Sequence, residues 1–235
     1  MLRDHLPGDR HFGDPLSMAD RRHLSTAQRQ LAELTGSDTG VMREVSGGAL
    51  QVWQAVLAAR GRDRGDCDTT LLFTDIVGFS DWALRAGDDA TLELLRAVGV
   101  AIEPPVVAHG GEVVKRLGDG MMASFRDPQS AFDALAEARD RTASLRTPDG
   151  WRPRLRAGIH TGRPRRLGGD YLGVDVNIAA RLVERAGAEE TLASAAAVSG
   201  LDRTQVRWRR KKTFALLRAK GVPSELDVFA VTPRD

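Results

Sequence analysis

Residues 69–80 read TTLLFTDIVGFS. The first six form a short apolar, β-branched run, which predicts a buried strand, and that strand ends on Asp75, so it delivers a carboxylate at its tip. Ile76, Val77, Gly78, Phe79 and Ser80 then offer a small residue and backbone amides at the start of a helix, a place that attracts phosphate. Ser80 is read as the cap of a helix running to about Ala101, with Leu84, Leu92, Leu95 and Val98 on its buried side and Pro104 and Pro105 forcing its end. Residues 112–116 and 120–125 follow as two strands around a Leu-Gly-Asp turn, a hairpin signal that exposes a second carboxylate, Asp119.

Residues 128–146 have the spacing of an amphipathic helix. In residues 154–160, Leu155, Ala157 and Ile159 alternate with Arg154, Arg156 and Gly158, and period two means strand. Gly168 and Gly169 break the chain before residues 170–174, and residues 177–185 read as a helix. Eight Lys or Arg lie between Arg203 and Lys220, ahead of an alternating strand at 225–231. The order strand, helix, hairpin, helix, strand is that of an α+β sandwich in which helices cover one face of a mostly antiparallel sheet.

Working outward to the N-terminal side, residues 61–68 are a polar, Gly-rich linker, and residues 24–60 carry apolar stripes at helical spacing: Leu24, Ala27, Leu31 and Leu34, then Val41, Val45, Ala49, Trp53 and Val56. Residues 1–23 show no apolar period and read as an irregular leader. The expected organisation is therefore a leader (1–23), a helical segment with its linker (24–66) and a dense domain (67–235). The helical segment has two open readings, a dimerising or regulatory element and a pair of helices packed on the domain.

The 235 residues include 34 Lys and Arg against 32 Asp and Glu, a formal charge of +2, with 42% hydrophobic and 28% charged residues. That is the composition of a globular protein and not of a disordered one. No stretch reaches the roughly 18–20 apolar residues of a membrane span, and the start has no secretory apolar region, so the cytosol is the expected location. With Cys67 the only cysteine, internal disulfides and thiolate clusters are excluded, and any metal must be held by oxygen or imidazole. Near-neutral charge also argues against nucleic acid as the main partner. Asp75 and Asp119 suit a hard ion, magnesium or manganese, bridging to phosphate oxygens; the bland reading of Asp119 is turn chemistry alone.

FTDIVGFS at 73–80, VVKRLGDGMMASF at 113–125, RAGIHTG at 156–162 and GDYLGVDVNIAARL at 169–182 closely resemble, in order and spacing, the signature segments of class III nucleotidyl cyclases. The resemblance covers about residues 69–232 and implies the ferredoxin-like cyclase sandwich. It implies that Asp75 and Asp119, with the carbonyl of Ile76, hold two divalent cations, Mg2+ or Mn2+, and that Val77, Gly78 and Phe79 cradle phosphate. Asn177 and Arg181 match the pair that serves the transition state, and their separation of four puts both on one helix face. Lys115 and Asp170 match the pair that reads the base. A Lys donor and an Asp acceptor complement adenine's ring nitrogen and amino group, whereas guanine would meet them donor to donor and acceptor to acceptor. Lys220 looks like the family's triphosphate lysine, with Lys211, Lys212 and Arg218 as neighbouring alternatives. In the family the metal aspartates of one site face the base-reading and transition-state residues of the opposite chain, so a chain holding both sets implies a head-to-tail homodimer with two equivalent sites.

The implied activity is conversion of ATP to 3′,5′-cyclic AMP and pyrophosphate. The alternatives are the same chemistry on GTP or a pyrimidine triphosphate, and a nucleotide-binding regulatory module without turnover. Nucleic-acid binding through residues 203–220 has the least support. His160, at the end of a buried strand, is expected to serve structure and not catalysis, and Phe73, Phe79 and Trp82 are read as core.

Overall fold

The computed structural model describes residues 67–211 and 226–234. The helices expected within 24–60, the leader and Lys220 lie outside the described residues. The chain runs β1 (Thr69–Ile76), α1 (Phe79–Ala86), α2 (Asp88–Ala108), β2 (Glu112–Leu117), β3 (Gly120–Phe125), α3 (Pro128–Ala143), β4 (Leu155–Gly162), β5 (Arg165–Leu167), β6 (Asp170–Leu172), α4 (Val174–Arg185), β7 (Thr191–Ser194), α5 (Ala195–Val198), β8 (Val206–Arg210) and β9 (Val228–Pro233).

Seven strands form one sheet in the order β2-β3-β1-β4-β7-β9-β8, antiparallel except for the parallel β4–β7 pair, and β5 and β6 make a separate hairpin. This is the mixed α+β architecture expected. The helices, however, cover both faces and not one. Leu72 and Ile76 of β1 pack with Leu94, Val98, Phe132 and Leu135 from α2 and α3, while Leu71 and Phe73 pack with Ala179, Ala180 and Val183 of α4. The reason is legible in β1 itself: a continuous apolar run, without polar residues at alternate positions, requires cover on both sides.

The single helix expected over 80–101 is two. It begins two residues early, at Phe79, on Gly78 rather than on a Ser80 cap, and it breaks at Gly87, where φ is 82° and ψ is 171°. Leu84 and Leu92 are exposed, and the buried stripe of α2 is Leu94, Val98, Ile102 and Val106. Pro104 and Pro105 do not end α2, which runs on to Ala108. Pro105 and Val106 are buried, and that burial offsets the amide contacts the two prolines forgo. α3 starts where expected, with Asp127 as N-cap accepting from Ser130 N at 2.8 Å, and ends at Ala143, three residues short of the expected 146. Among the described residues no helix is long and apolar enough to cross a membrane.

Candidate active site

Asp75 ends β1, and Asp119 sits in the β2–β3 turn. Because β3 pairs with β1 (Thr74 opposite Met121), the turn folds against the end of β1. A Cβ on Gly120 would lie 2.7 Å from Thr74 O, so only glycine lets the two segments come this close. Asp119 Oδ2 accepts from Ile76 N at 3.4 Å. Burial, reinforced by the charge of Asp75, pushes the Asp119 carboxyl from its ordinary 3.8 up to about 7. Two neighbouring carboxylates supply oxygen ligands that fit a hard divalent cation. Among the described residues no group of three or more His, Cys, Asp or Glu could hold a metal by itself, so further ligands would be phosphate oxygens and water.

The phosphate cradle expected at 77–79 is only partly available. Val77 N already donates to Arg154 O at 3.0 Å. The first-turn amides of α1 remain, with no side-chain cap on them, behind a left-handed Gly78 with φ of 75°. The start of α1 is braced from below. Trp82 is buried, stacks on Trp151 at 5.0 Å between ring centroids and donates Nε1–H to Asp149 Oδ2 at 3.0 Å.

Lys115 and Asp170 are brought together: Lys115 Nζ lies 2.6 Å from Asp170 Oδ2, and Asp170 Oδ1 accepts from Tyr171 N at 2.7 Å. A register shift in β2 makes this possible. Val113 pairs with Ala123 and Lys115 with Met122, leaving Val114 as the extra residue of a bulge, buried with Met122 and Tyr171. The bulge turns Lys115 toward the β6 side of the sheet. Asn177 and Arg181 both lie on α4 and are partly buried. Arg181 Nη1 donates to Glu184 Oε2 at 2.5 Å, so the guanidinium would have to share or leave that partner to meet a substrate.

Arg156 is a site residue that the sequence motifs do not single out. It stands opposite Asp75 in the β1–β4 ladder, its Nε donates to Asp75 Oδ2 at 2.6 Å, and Nη1 donates to Glu184 O at 3.2 Å. A signal exists all the same: Arg156 sits on the same alternation as Gly158 and His160, one strand from Asp75. In the basic run, Arg210 pairs with Asp227, and Lys211 Nζ lies 2.6 Å from Glu190 Oε1. Arg203 lies over the Trp208 ring, 5.1 Å from its centroid.

The mixed α+β sheet thus places two carboxylates at a hairpin turn beside a helix start, and the same domain carries the Lys115–Asp170 pair and the Asn177–Arg181 helix face. Known proteins share this fold. The chain is 32% identical over 163 residues to an adenylate cyclase of Streptomyces coelicolor, a match covering 66% of this chain and 42% of that protein. Among solved structures, the adenylyl cyclase CyaB of Pseudomonas aeruginosa aligns with a TM-score of 0.58 at 24% identity, over 72% of this chain and 95% of that one. The guanylate cyclase domain of RhGC from Catenaria anguillulae, in complex with GTP, aligns with a TM-score of 0.62 at 18% identity, over 72% and 97%. No protein-family model matches the chain. The fold is that of class III nucleotidyl cyclase domains. Its match spans less than half the length of the Streptomyces relative.

Proposed function

We propose that this protein is an adenylate cyclase, converting ATP to 3′,5′-cyclic AMP and pyrophosphate. The observation that carries the reading is the Asp75–Asp119 pair brought together at the end of β1, where burial and then the charge of Asp75 raise the Asp119 carboxyl to about 7. When bound, Mg2+ or Mn2+ would acidify the ribose 3′-hydroxyl and neutralise charge on the triphosphate and the departing pyrophosphate. Asp75 and Asp119, with the Ile76 carbonyl, hold the ions. The first-turn amides of α1, from Phe79 on, face the phosphates behind Gly78. Lys220 contributes positive charge to the triphosphate.

Lys115 donates to the adenine ring nitrogen and Asp170 accepts from its amino group. The two groups lie 2.6 Å apart, so one base edge can meet both. Asn177 orients the ribose, and Arg181 holds the charge that grows on the α-phosphate oxygens. Loss of such a donor costs on the order of 100-fold in rate. The reaction breaks the bond from the α-phosphorus to the bridging oxygen as the 3′-oxygen bonds to the same phosphorus. The working unit is a head-to-tail homodimer with two equivalent sites.

The test is product formation from ATP, GTP, CTP and UTP in parallel with Mn2+, for the wild type, Asp75→Ala and Arg181→Ala. Cyclic AMP that disappears in both variants is the expected result. Mixing the two inactive variants returns about a quarter of wild-type activity, because half of the reassorted dimers carry one intact site. A different cyclic product overturns the base assignment. No product from any nucleotide, with binding retained, overturns the enzyme reading in favour of a nucleotide-binding regulatory module.

A further inference from the structure

One face of β4 is given over to α4. Residues 156, 158, 160 and 162 alternate onto it, and each meets that helix at a different height. Arg156 Nη1 donates to Glu184 O near the helix C-terminus. At Gly158 the two backbones come together: a Cβ there would lie 2.6 Å from Val183 N and 2.7 Å from Ala179 O. His160 Nε2 lies 3.0 Å from Asp175 Oδ1 in the first turn. At Gly162 a Cβ would lie 2.2 Å from the same Asp175 oxygen.

His160 is 5% exposed, and both its ring nitrogens are engaged, Nδ1 with Ser194 Oγ at 2.8 Å and Nε2 with Asp175. The polarity of the chain follows from the groups. An ionised Asp175 can only accept, so Nε2 carries the proton and Nδ1 accepts from the Ser194 hydroxyl. Ser194 Oγ in turn accepts from Ala197 N at 3.3 Å, and Asp175 Oδ2 accepts from Arg163 N at 3.1 Å. The order Ser–His–Asp is that of a hydrolase triad, but Ser194 is fully buried and its oxygen already caps α5, so the chain is a tie between elements. It joins β7, β4, the β4–β5 connection and α4.

That tie falls at the N-terminal end of α4. Its N-cap is Gly173, without a side-chain cap, and Asp175 anchors the first turn to β4. Asn177 follows two residues later and Arg181 one turn beyond. We propose that His160 is a positioning residue: through Asp175 it fixes the seat of α4 on β4, and with it the placement of Asn177 and Arg181. The inference rests on the functional reading above for its kinetic consequence, though not for the structural one. Catalytic groups displaced by about 1 Å can lose on the order of 100-fold in rate.

The experiment compares His160→Ala, Gly162→Ala and Asp175→Asn in the full chain. His160→Ala removes one partner each from buried Ser194 and partly buried Asp175, so Gly162→Ala serves as the second variant: it displaces the Asp175 carboxylate without removing any polar group. Asp175→Asn is the conservative rescue, since its amide can donate to Nε2 after a tautomer shift and its oxygen can still accept from Arg163 N. Hydrogen exchange without nucleotide reads the seat directly. The first two variants are expected to speed exchange in the first turn of α4 by about 10-fold or more while β1, β3, α2 and α3 keep wild-type protection.

In turnover, kcat of His160→Ala and Gly162→Ala falls about 10- to 100-fold with KM within about two-fold, whereas Asp175→Asn retains most of the wild-type kcat. Gly162→Ala combined with His160→Ala adds less than about three-fold to the loss of either alone, because both act on the one Asp175 tie. Exchange that rises throughout the domain, or kinetic losses of His160→Ala and Gly162→Ala that simply multiply, overturns the proposal. A wild type that forms no cyclic nucleotide sinks the functional reading, while the exchange measurement still decides the seat of α4.

Discussion

Asp75 and Arg156 stand directly opposite each other on β1 and β4, and Arg156 Nε lies 2.6 Å from Asp75 Oδ2. A fixed positive charge thus attends one of the two carboxylates, and the same guanidinium reaches the carbonyl end of α4 at Glu184. Arg156→Ala leaves Asp75 beside Asp119 with no neighbouring cation across the ladder. Charge-assisted hydrogen bonds of this kind contribute about 1.5–3 kcal/mol when neither partner is fully exposed. The expected outcome is a lower melting temperature in EDTA, by roughly 2–4 °C per kcal/mol in a chain of this size. Saturating Mn2+ narrows the gap, because the ion supplies the missing charge. Equal melting temperatures for variant and wild type in EDTA would show that Arg156 does nothing for the carboxylate pair.

The elevated Asp119 carboxyl makes the metal-free domain sensitive to pH in a stated direction. Unfolded, this group loses its proton near 3.8; folded, it keeps it to about 7, chiefly because of burial and then because of Asp75. Between those values the folded state binds more protons, so this group makes stability fall as pH rises from about 4 to about 7, and the deficit is full above that. A shift of this size corresponds to about 4 kcal/mol at most, with part of it shared with Asp75. Asp119→Asn removes the charge and keeps an oxygen for Ile76 N. In EDTA it is expected to melt above the wild type at pH 8 and level with it near pH 4, and to lose the stabilisation that Mn2+ gives the wild type. Thermal melts across that range, with and without Mn2+, check both halves.

Lys115 and Asp170 present one donor and one acceptor, so exchanging their roles should exchange the base. Lys115→Glu with Asp170→Ser offers an acceptor to the ring N–H of guanine and a donor to its O6. The ratio of kcat/KM for ATP over GTP is expected to fall by about 100-fold or more, since each wrong base leaves a buried polar group unpaired. Competition between the two nucleotides measures the ratio directly. An unchanged ratio would move base reading to other residues.

Much of this is legible in the sequence because it rests on local rules. The apolar run into Asp75, the hairpin around Asp119 and the four-residue spacing of Asn177 and Arg181 each follow from a strand, turn or helix period. What escapes a reading of the sequence depends on tertiary contact. Pro104 and Pro105 look like a stop, yet α2 continues because Pro105 and Val106 are buried. β7 and β8 give little sign of themselves: Thr191–Ser194 has only four residues, and the basic residues of Val206–Arg210 mask a strand. The bulge at Val114 leaves no mark in residue type, so a motif match pairs Lys115 with Asp170 while strand alternation alone says nothing of where Lys115 aims. Arg156 and His160 are visible as letters of one strand, but their partners, Asp75, Glu184, Asp175 and Ser194, lie 81, 28, 15 and 34 residues away.

Gly158 states the packing requirement of this domain most sharply. On either side of it along β4, Ala157 and Ile159 fill the core under α2 and α3. Gly158 itself faces α4, where an added Cβ would lie 2.6 Å from Val183 N, 2.7 Å from Ala179 O and 2.8 Å from Leu182 Cβ. Those are chiefly backbone atoms, which cannot rotate aside, so Gly158→Ala must lift the helix from the strand. Overpacking of this kind costs about 1–3 kcal/mol. The lift also stretches the His160–Asp175 and Arg156–Glu184 ties at either end, so the loss should extend beyond stability. Gly158→Ala is expected to remain folded below its reduced melting temperature and to lose at least about 10-fold in kcat while still binding nucleotide. Equilibrium binding of a non-cyclisable ATP analogue alongside turnover separates the two effects. Full turnover in a destabilised Gly158→Ala protein would mean that catalysis tolerates a displaced α4.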